Sequence, residues 1–250
     1  VRIAIPSYRR ADTLATKTIP LLLDRGVDPA IIDVFISDPG ELPAYRQALQ
    51  GTGVNLHPGA IGMRDNRSVM ARHYPKGENV VAIDDDLTDI IEAVDAKTSR
   101  PLQGLTGFFE QAFEHARRNG CTLWGIYPVA NPYFMKPKIT TGLTYIVGCL
   151  YGWVTDPDAD WHHTHLDDKE DFERSIRFYE RDGAVLRIGW VAPVTRYYKE
   201  PGGMQVERTE QRINESVQWL LDNYGQFCTV NTRKSSGPAE VKLRDRRRVD

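Results

Sequence analysis

Cysteine is scarce: Cys121, Cys149 and Cys228 are the only three in 250 residues. An odd number, scattered without the short spacings of a metal site, excludes a disulfide framework and points to a reducing compartment with all three in the core. Long apolar runs are missing too. The longest, YIVGCLYGWV from Tyr145 to Val154, falls well short of the ~20 residues a membrane helix needs, and nothing at the start resembles a signal peptide. A cytoplasmic location is expected, the host's if the chain is virus-encoded, with no membrane partner. An excess of either charge is also absent, since 32 Lys and Arg stand against 34 Asp and Glu. That excludes a broad basic face, so a polyanion would have to be met by a local patch. Finally, PSYRR after the first strand-like run lacks both the glycines of a dinucleotide turn and the Gly-rich, lysine-bearing run of a P-loop.

What is present is the rhythm of a parallel sheet. VRIAIP, a helical stretch over 11–25, DVFISD, a helix through Leu49, VNLHPG, a helix over 65–74 and NVVAIDDD alternate strand and helix signals. The expected fold is α/β, a single domain over 1–250 with a mostly parallel central sheet. In such sheets ligands sit outside the carboxyl ends of the strands, where Pro6, Ser7, Asp38 and Asp84 to Asp86 fall. The rest is mixed. A helix over 102–119 carries Phe108, Phe109 and Phe113 at core spacing, strands are expected over 121–127 and 142–154, and helices over 168–181 and 209–224. TRKSSGPAE reads as a loop, and the tail KLRDRRRVD concentrates positive charge.

The most pointed stretch is VVAIDDDLTDI, where an apolar strand ends in Asp84, Asp85 and Asp86. Adjacent carboxylates repel unless a cation or strong donors sit among them. A divalent cation such as Mn²⁺ or Mg²⁺, which prefers carboxylate and phosphate oxygens, answers that repulsion. Strand alternation would point Asp84 and Asp86 one way, leaving Asp85 opposed, or free to reach a sugar if the chain turns. An acidic cap for a helix beginning near Leu87 is the competing explanation. Around this stretch, Ser7 offers hydroxyl and amide groups, Arg9 a planar fork, and Asp38 an acceptor for a base N–H. Arg64 and Arg67, one turn apart, are suited to clamping a diphosphate. Glu170 and Asp171 open a helix and are suited to taking a proton from an acceptor hydroxyl. His162, His163 and His165 have spacing that fits zinc poorly.

RIAIPSYRR, GMRDNR followed by VVAIDDDLTDI, LWGIYPVANPYFMK, YIVGCLYG, KEDFERS and YYKEPGGM occur in this order. Together they resemble the base J-associated glucosyltransferases and their viral relatives, found alongside dioxygenases that oxidise thymine or cytosine. The resemblance spans nearly the whole chain. It implies a GT-A-type, Rossmann-like domain whose residues 1–90 bind the sugar nucleotide and 91–250 the acceptor. Asp84 to Asp86 would then be the DxD counterpart, with Asp84 and Asp86 on the metal and Asp84 and Asp85 toward the UDP-sugar. Pro6, Ser7, Arg9 and Asp38 would hold uridine, and Arg64 and Arg67 would lie near the diphosphate. Asp171 would be the base and Glu170 an acceptor or sugar contact, while Gly148 and Gly152 lie near the acceptor. Trp124, Tyr127 and Tyr133 are candidates for stacking on it. The implied reaction moves a hexose, glucose first, to a hydroxymethylated pyrimidine in DNA. One departure is that no histidine follows His165 to serve as an extra metal ligand, which leaves Lys199 and the PGG loop to supplement the diphosphate contacts. A protein or glycan acceptor is the nearest alternative. A sugar nucleotidyltransferase is another, although the Gly-rich basic loop it typically carries is missing.

Overall fold

The computed structural model describes residues 1–195, 209–232 and 238–245. Strand β1 (Arg2–Ser7) lies parallel between β2 (Ile32–Ile36) and β4 (Asn79–Ile83), and β3 (Asn55–Pro58) continues the parallel set beyond β2. The later chain extends the same sheet. β9 (Leu150–Val154) runs antiparallel between β4 and β7 (Leu123–Ile126), β10 (Val185–Ile188) is parallel to β7, and β8 (Ile139–Gly142) closes the edge antiparallel. The order is β3-β2-β1-β4-β9-β7-β10-β8, a mixed but mostly parallel α/β sheet as expected. Two small sheets flank it, one of β11 (Val191–Val194), β5 (Asp89–Ala93) and β6 (Ser99–Pro101), the other of β12 (Cys228–Val230) and β13 (Val241–Leu243).

The central strands are apolar on both sides because both faces are covered. On one face lie α1 (Ala11–Thr16), α2 (Thr18–Asp24), α3 (Leu42–Ala48) and α5 (Leu105–Arg118), whose Leu14, Leu22, Tyr45, Phe109 and Phe113 join Ile3, Val34 and Val81 in one core. On the other, α4 (Met63–His73), α6 (Glu170–Asp182) and α7 (Glu210–Tyr224) bring Met70, Ile176, Tyr179 and Leu220 against Ala82, Leu123 and Trp153. All three cysteines are buried and none is in a disulfide. Among the described residues no helix is long and apolar enough to cross a membrane.

Three local expectations are corrected. The helix over 11–25 is broken at Lys17 (φ −122°, ψ −83°), because the Pro20 ring would clash with the carbonyl four residues back and its nitrogen has no proton to donate. The stretch over 142–154 is strand only at its two ends; between them Gly148 and Cys149 turn their carbonyls to Arg67 and the Asp84 N–H. No helix begins near Leu87, so the aspartates cap nothing and the chain passes into β5. Trp124 and Gly152 are also not acceptor surface. Trp124 is fully buried against Phe113, ring centroids 5.5 Å apart, and a Cβ on Gly152 would stand 2.3 Å from its indole.

Candidate functional site

At the carboxyl end of β4 the alternation of the strand stops, and the three aspartates separate into one and two. The Asp84 carboxylate accepts from Arg67 Nη2 at 3.2 Å. Asp85 accepts from Ser7 Oγ at 2.6 Å and from Arg10 Nη1 at 3.0 Å, and the same Arg10 nitrogen reaches Asp86 at 3.0 Å, where Thr195 also donates. The pairing is therefore Asp85 with Asp86 on Arg10, rather than Asp84 with Asp86 on one side. Two arginines supply part of the positive charge the sequence demands, and one of them, Arg10, was not among the expected residues. Its neighbour Arg9 turns outward at φ 54°, with its guanidinium 3.9 Å from Glu41. Burial, together with repulsion from the neighbouring carboxylates, still pushes Asp84 up to about 7 against the pull of Arg67. Asp85 is pushed by burial to about 6 although Arg10 and Ser7 oppose it.

Arg67 and Arg64 part company. Arg67 is buried, donating to Tyr151 Oη and Gly148 O at 3.0 Å each and lying 3.2 Å from Glu170 Oε1. Arg64 faces solvent in a pair with Asp65 at 2.7 Å, so no twin clamp forms. Glu170 is equally committed. Its second oxygen accepts from Arg174 Nη1 at 2.6 Å, and the Arg174 guanidinium lies 3.8 Å over the Tyr151 ring. The expected sugar or acceptor contact is thus a buried strut between α4 and α6. Gly148 belongs to this strut, since a Cβ there would sit 3.1 Å from Glu170 Oε1.

Asp171, one residue on, has different partners. Tyr145 Oη donates to its Oδ2 at 2.5 Å, and the Tyr145 ring packs on Phe172 with centroids 4.4 Å apart. The carboxylate borders a cavity of about 810 Å³ that Lys169, Arg187, Glu240 and Lys242 also line. Lys169, just before the helix, is held at φ 65°. Apart from Arg9 it is the only described non-glycine residue with positive φ, and both directly precede a site residue whose side chain turns inward. A smaller recess of about 60 Å³ is lined by Pro6, Ser7, Arg10, Asn66, Asp84 and Asp85.

The remaining expected residues are dispersed. Ser7 Oγ is buried between Asp85 and Tyr45, and Asp38 accepts from its own Gly40 N–H at 2.9 Å. Tyr127 lies beneath Arg187, whereas Tyr133 is 66% exposed. The histidines have separate partners: Asp156 N for His162, Ser68 for His163 and Glu173 for His165. The whole of YYKEPGGM, with Lys199 and the PGG loop, and the end of the basic tail lie outside the described residues. At the other end of the sheet, ligand atoms of Asp33, His57 and His73 lie within 4.8 Å of one another. Asp33 there also takes the Arg2 fork and Tyr74 Oη. Although burial would raise its pKa, these donors hold the Asp33 carboxyl below the usual range.

The sequence matches no protein-family model and no curated protein; similarity is found in solved structures. TarS of S. aureus, residues 1–349, superposes with a TM-score of 0.53 at 13% identity, over 88% of this chain and 65% of that one. The mannosyltransferase PcManGT from Pyrobaculum calidifontis, in complex with GDP-Man and Mn²⁺, gives 0.53 at 13% identity over 95% and 65%. Glucosyl-3-phosphoglycerate synthase from Mycobacterium tuberculosis, with Mn²⁺, UDP-Glc and phosphoglyceric acid, gives 0.51 at 13% identity over 98% and 89%. The chain spans less than two thirds of the TarS and PcManGT chains it matches. The protein has the α/β fold of these structures, the GT-A fold of glycosyltransferases.

Proposed function

We propose that the protein is a metal-dependent glycosyltransferase that moves a hexose, with glucose the first donor to test, from a UDP-sugar to the hydroxymethyl group of 5-hydroxymethylcytosine or 5-hydroxymethyluracil in DNA, with inversion. The observation that supports the transfer chemistry is the presence of two separate pockets, each lined by expected site residues. A recess bounded by Asp84 and Asp85 lies at the strand ends where this fold binds ligands, and Asp171 faces a separate cavity beyond the Glu170 strut. The DNA acceptor rests on the ordered motifs from RIAIPSYRR to YYKEPGGM.

The residues at β4 fit a hard divalent cation. Among the described residues the cations paired with Asp84, Asp85, Asp86 and Glu170 are Arg10, Arg67 and Arg174, and Asp84 Oδ2 accepts no hydrogen bond. Asp84, with its open Oδ2, and Asp85 line the recess and would hold the ion, which would supply positive charge to a departing diphosphate. On the acceptor side, Asp171 takes the hydroxyl proton as the oxygen attacks the anomeric carbon. The anomeric C–O bond breaks and UDP leaves with the electron pair. Tyr145, donating to Asp171 Oδ2, fixes that carboxylate's orientation. A base inside a duplex is hidden from such a pocket, so the acceptor nucleotide is flipped out or single-stranded.

Two measurements test this reading. Nucleosides digested from hydroxymethylated DNA after incubation with Mn²⁺ and UDP-glucose are expected to gain one hexose mass; release of UDP with no gain on any DNA would redirect the search to another acceptor. The second is thermal. Asp84 and Asp85 have folded pKa values raised to about 7 and about 6, so the stability they contribute is complete below pH ~4 and is lost as pH rises through those values. A cation restores what is lost, and the Mn²⁺-induced rise in Tm is expected to grow between about pH 5 and about pH 8. His162, pushed by burial down to about 3, has the opposite slope and cancels in the comparison with and without metal. An increment that is flat or shrinks over this range removes the metal from these aspartates.

A further inference from the structure

The cavity beside Asp171 is lined by three acidic and three basic side chains that are not all paired with one another. Its charged lining consists of Asp168, Asp171, Glu240, Lys169, Arg187 and Lys242. Three of these have a charged partner: Lys169 and Glu240 pair with each other at 2.5 Å, and Asp168 lies 3.5 Å from Arg212, which is outside the lining. Among the described residues Asp171 has no cation, and neither Arg187 nor Lys242 has a carboxylate. Arg187 is half-buried on β10. Its one hydrogen bond there is a long one, 3.4 Å to Tyr145 O, and its guanidinium lies 5.5 Å from the centroid of the Tyr127 ring. Burial without an acid partner pulls its pKa down, the reverse of what ion pairing does for Arg10. A half-buried planar fork of N–H donors that lines a cavity and has no carboxylate among the described residues is suited to receive an anion.

Tyr145 fixes where that fork lies relative to the reaction. Its backbone carbonyl touches Arg187 and its hydroxyl touches Asp171, so a guanidinium and a carboxylate that both lack a charged partner among the described residues stand at the two ends of one residue. A ligand filling the cavity would place a hydroxyl at one end and an oxyanion at the other, with Lys242 at the exposed rim.

We propose that Arg187 is a specificity-determining residue that receives a phosphate ester of the acceptor while Asp171 faces the acceptor's hydroxyl. This rests on the glycosyl-transfer reading and adds the acceptor's chemistry to it. A phosphate of this kind is carried either by a nucleotide within a nucleic-acid strand or by a small phosphorylated alcohol. The unpaired charges, two positive against one negative, suit either.

Equilibrium binding to the full chain, which needs no turnover, tests the proposal. The probes are a trinucleotide centred on 5-hydroxymethyldeoxycytidine, compared with the free nucleoside, and glycerol 3-phosphate, compared with glycerol. The wild-type protein is expected to prefer at least one phosphate-bearing probe over its neutral counterpart by about 10- to 100-fold, the range of a charge-assisted hydrogen-bonded contact. Whichever pair shows the preference identifies the source. Arg187→Gln is expected to erase it, and Arg187→Lys, which keeps the charge without the fork, to retain a reduced part. The lysine variant also serves if the glutamine variant does not fold. Equal affinity for phosphate-bearing and neutral probes in the wild type, or a preference unchanged in both variants, overturns the proposal. Failure of the transferase reading is separately visible as absence of Mn²⁺-dependent UDP-glucose binding by the wild-type protein.

Discussion

Asp171→Asn is expected to lower hexose transfer by about 10²- to 10⁴-fold, the usual contribution of a positioned general base, while UDP-sugar binding and thermal stability stay close to wild type. The amide has the shape of the carboxylate and keeps one oxygen for the Phe172 N–H, while its NH2 can donate to Tyr145 Oη, a hydroxyl that also accepts. What it loses is the capacity to take a proton from the acceptor. Single-turnover rates at saturating donor, measured beside equilibrium UDP-sugar binding, separate the two effects. Full activity in this variant would remove Asp171 from the base role.

The adjacent change is expected to behave in the opposite way. Glu170→Gln leaves Arg174 without its carboxylate and Arg67 with Asp84 alone, inside a region where Glu170 is 7% exposed. Removing one partner of a buried ionic network costs about 3–5 kcal/mol. For a domain of this size that lowers Tm on the order of 10 °C. Calorimetry of the metal-free protein reads this directly, before any activity is measured. A melting temperature within a degree or two of wild type would show that the strut bears little of the fold's stability. Two acidic neighbours on one helical turn thus divide into a chemical role and an architectural one.

The division was only half legible in the sequence. Spacing alone makes Glu170 and Arg174 an i,i+4 pair, a signal that could have moved Glu170 from the reacting groups to the supporting ones. The third member, Arg67, lies far away in sequence, and only the packing of α4 against the sheet brings it there. The same limit explains Arg9 and Arg10. Both follow Ser7, and which of the two turns inward depends on the left-handed backbone at Arg9, which no periodicity predicts. The mostly parallel α/β class and the convergence of strand ends follow from short-range apolar runs and were readable, whereas the order of the strands was not. Trp124 and Gly152 were misassigned because their contact joins β7 to β9, two strands whose adjacency is a property of the topology. The break at Lys17 was readable from Pro20 and was missed by following apolar spacing alone.

The position of β9 has a consequence for how the chain is made. A ribosome releases residues 1–83 first, and with them all four parallel strands of the first half, yet the outer partner of β4 is not synthesised until Leu150–Val154. Until then the apolar run NVVAI presents an open edge of the kind that recruits other chains. Asp84, Asp85 and Asp86 close that edge with like charges, which repel a second copy laid alongside in register and so act as gatekeepers of the nascent strand. The carboxylates assigned here to a cation in the finished protein would protect its unfinished sheet as well.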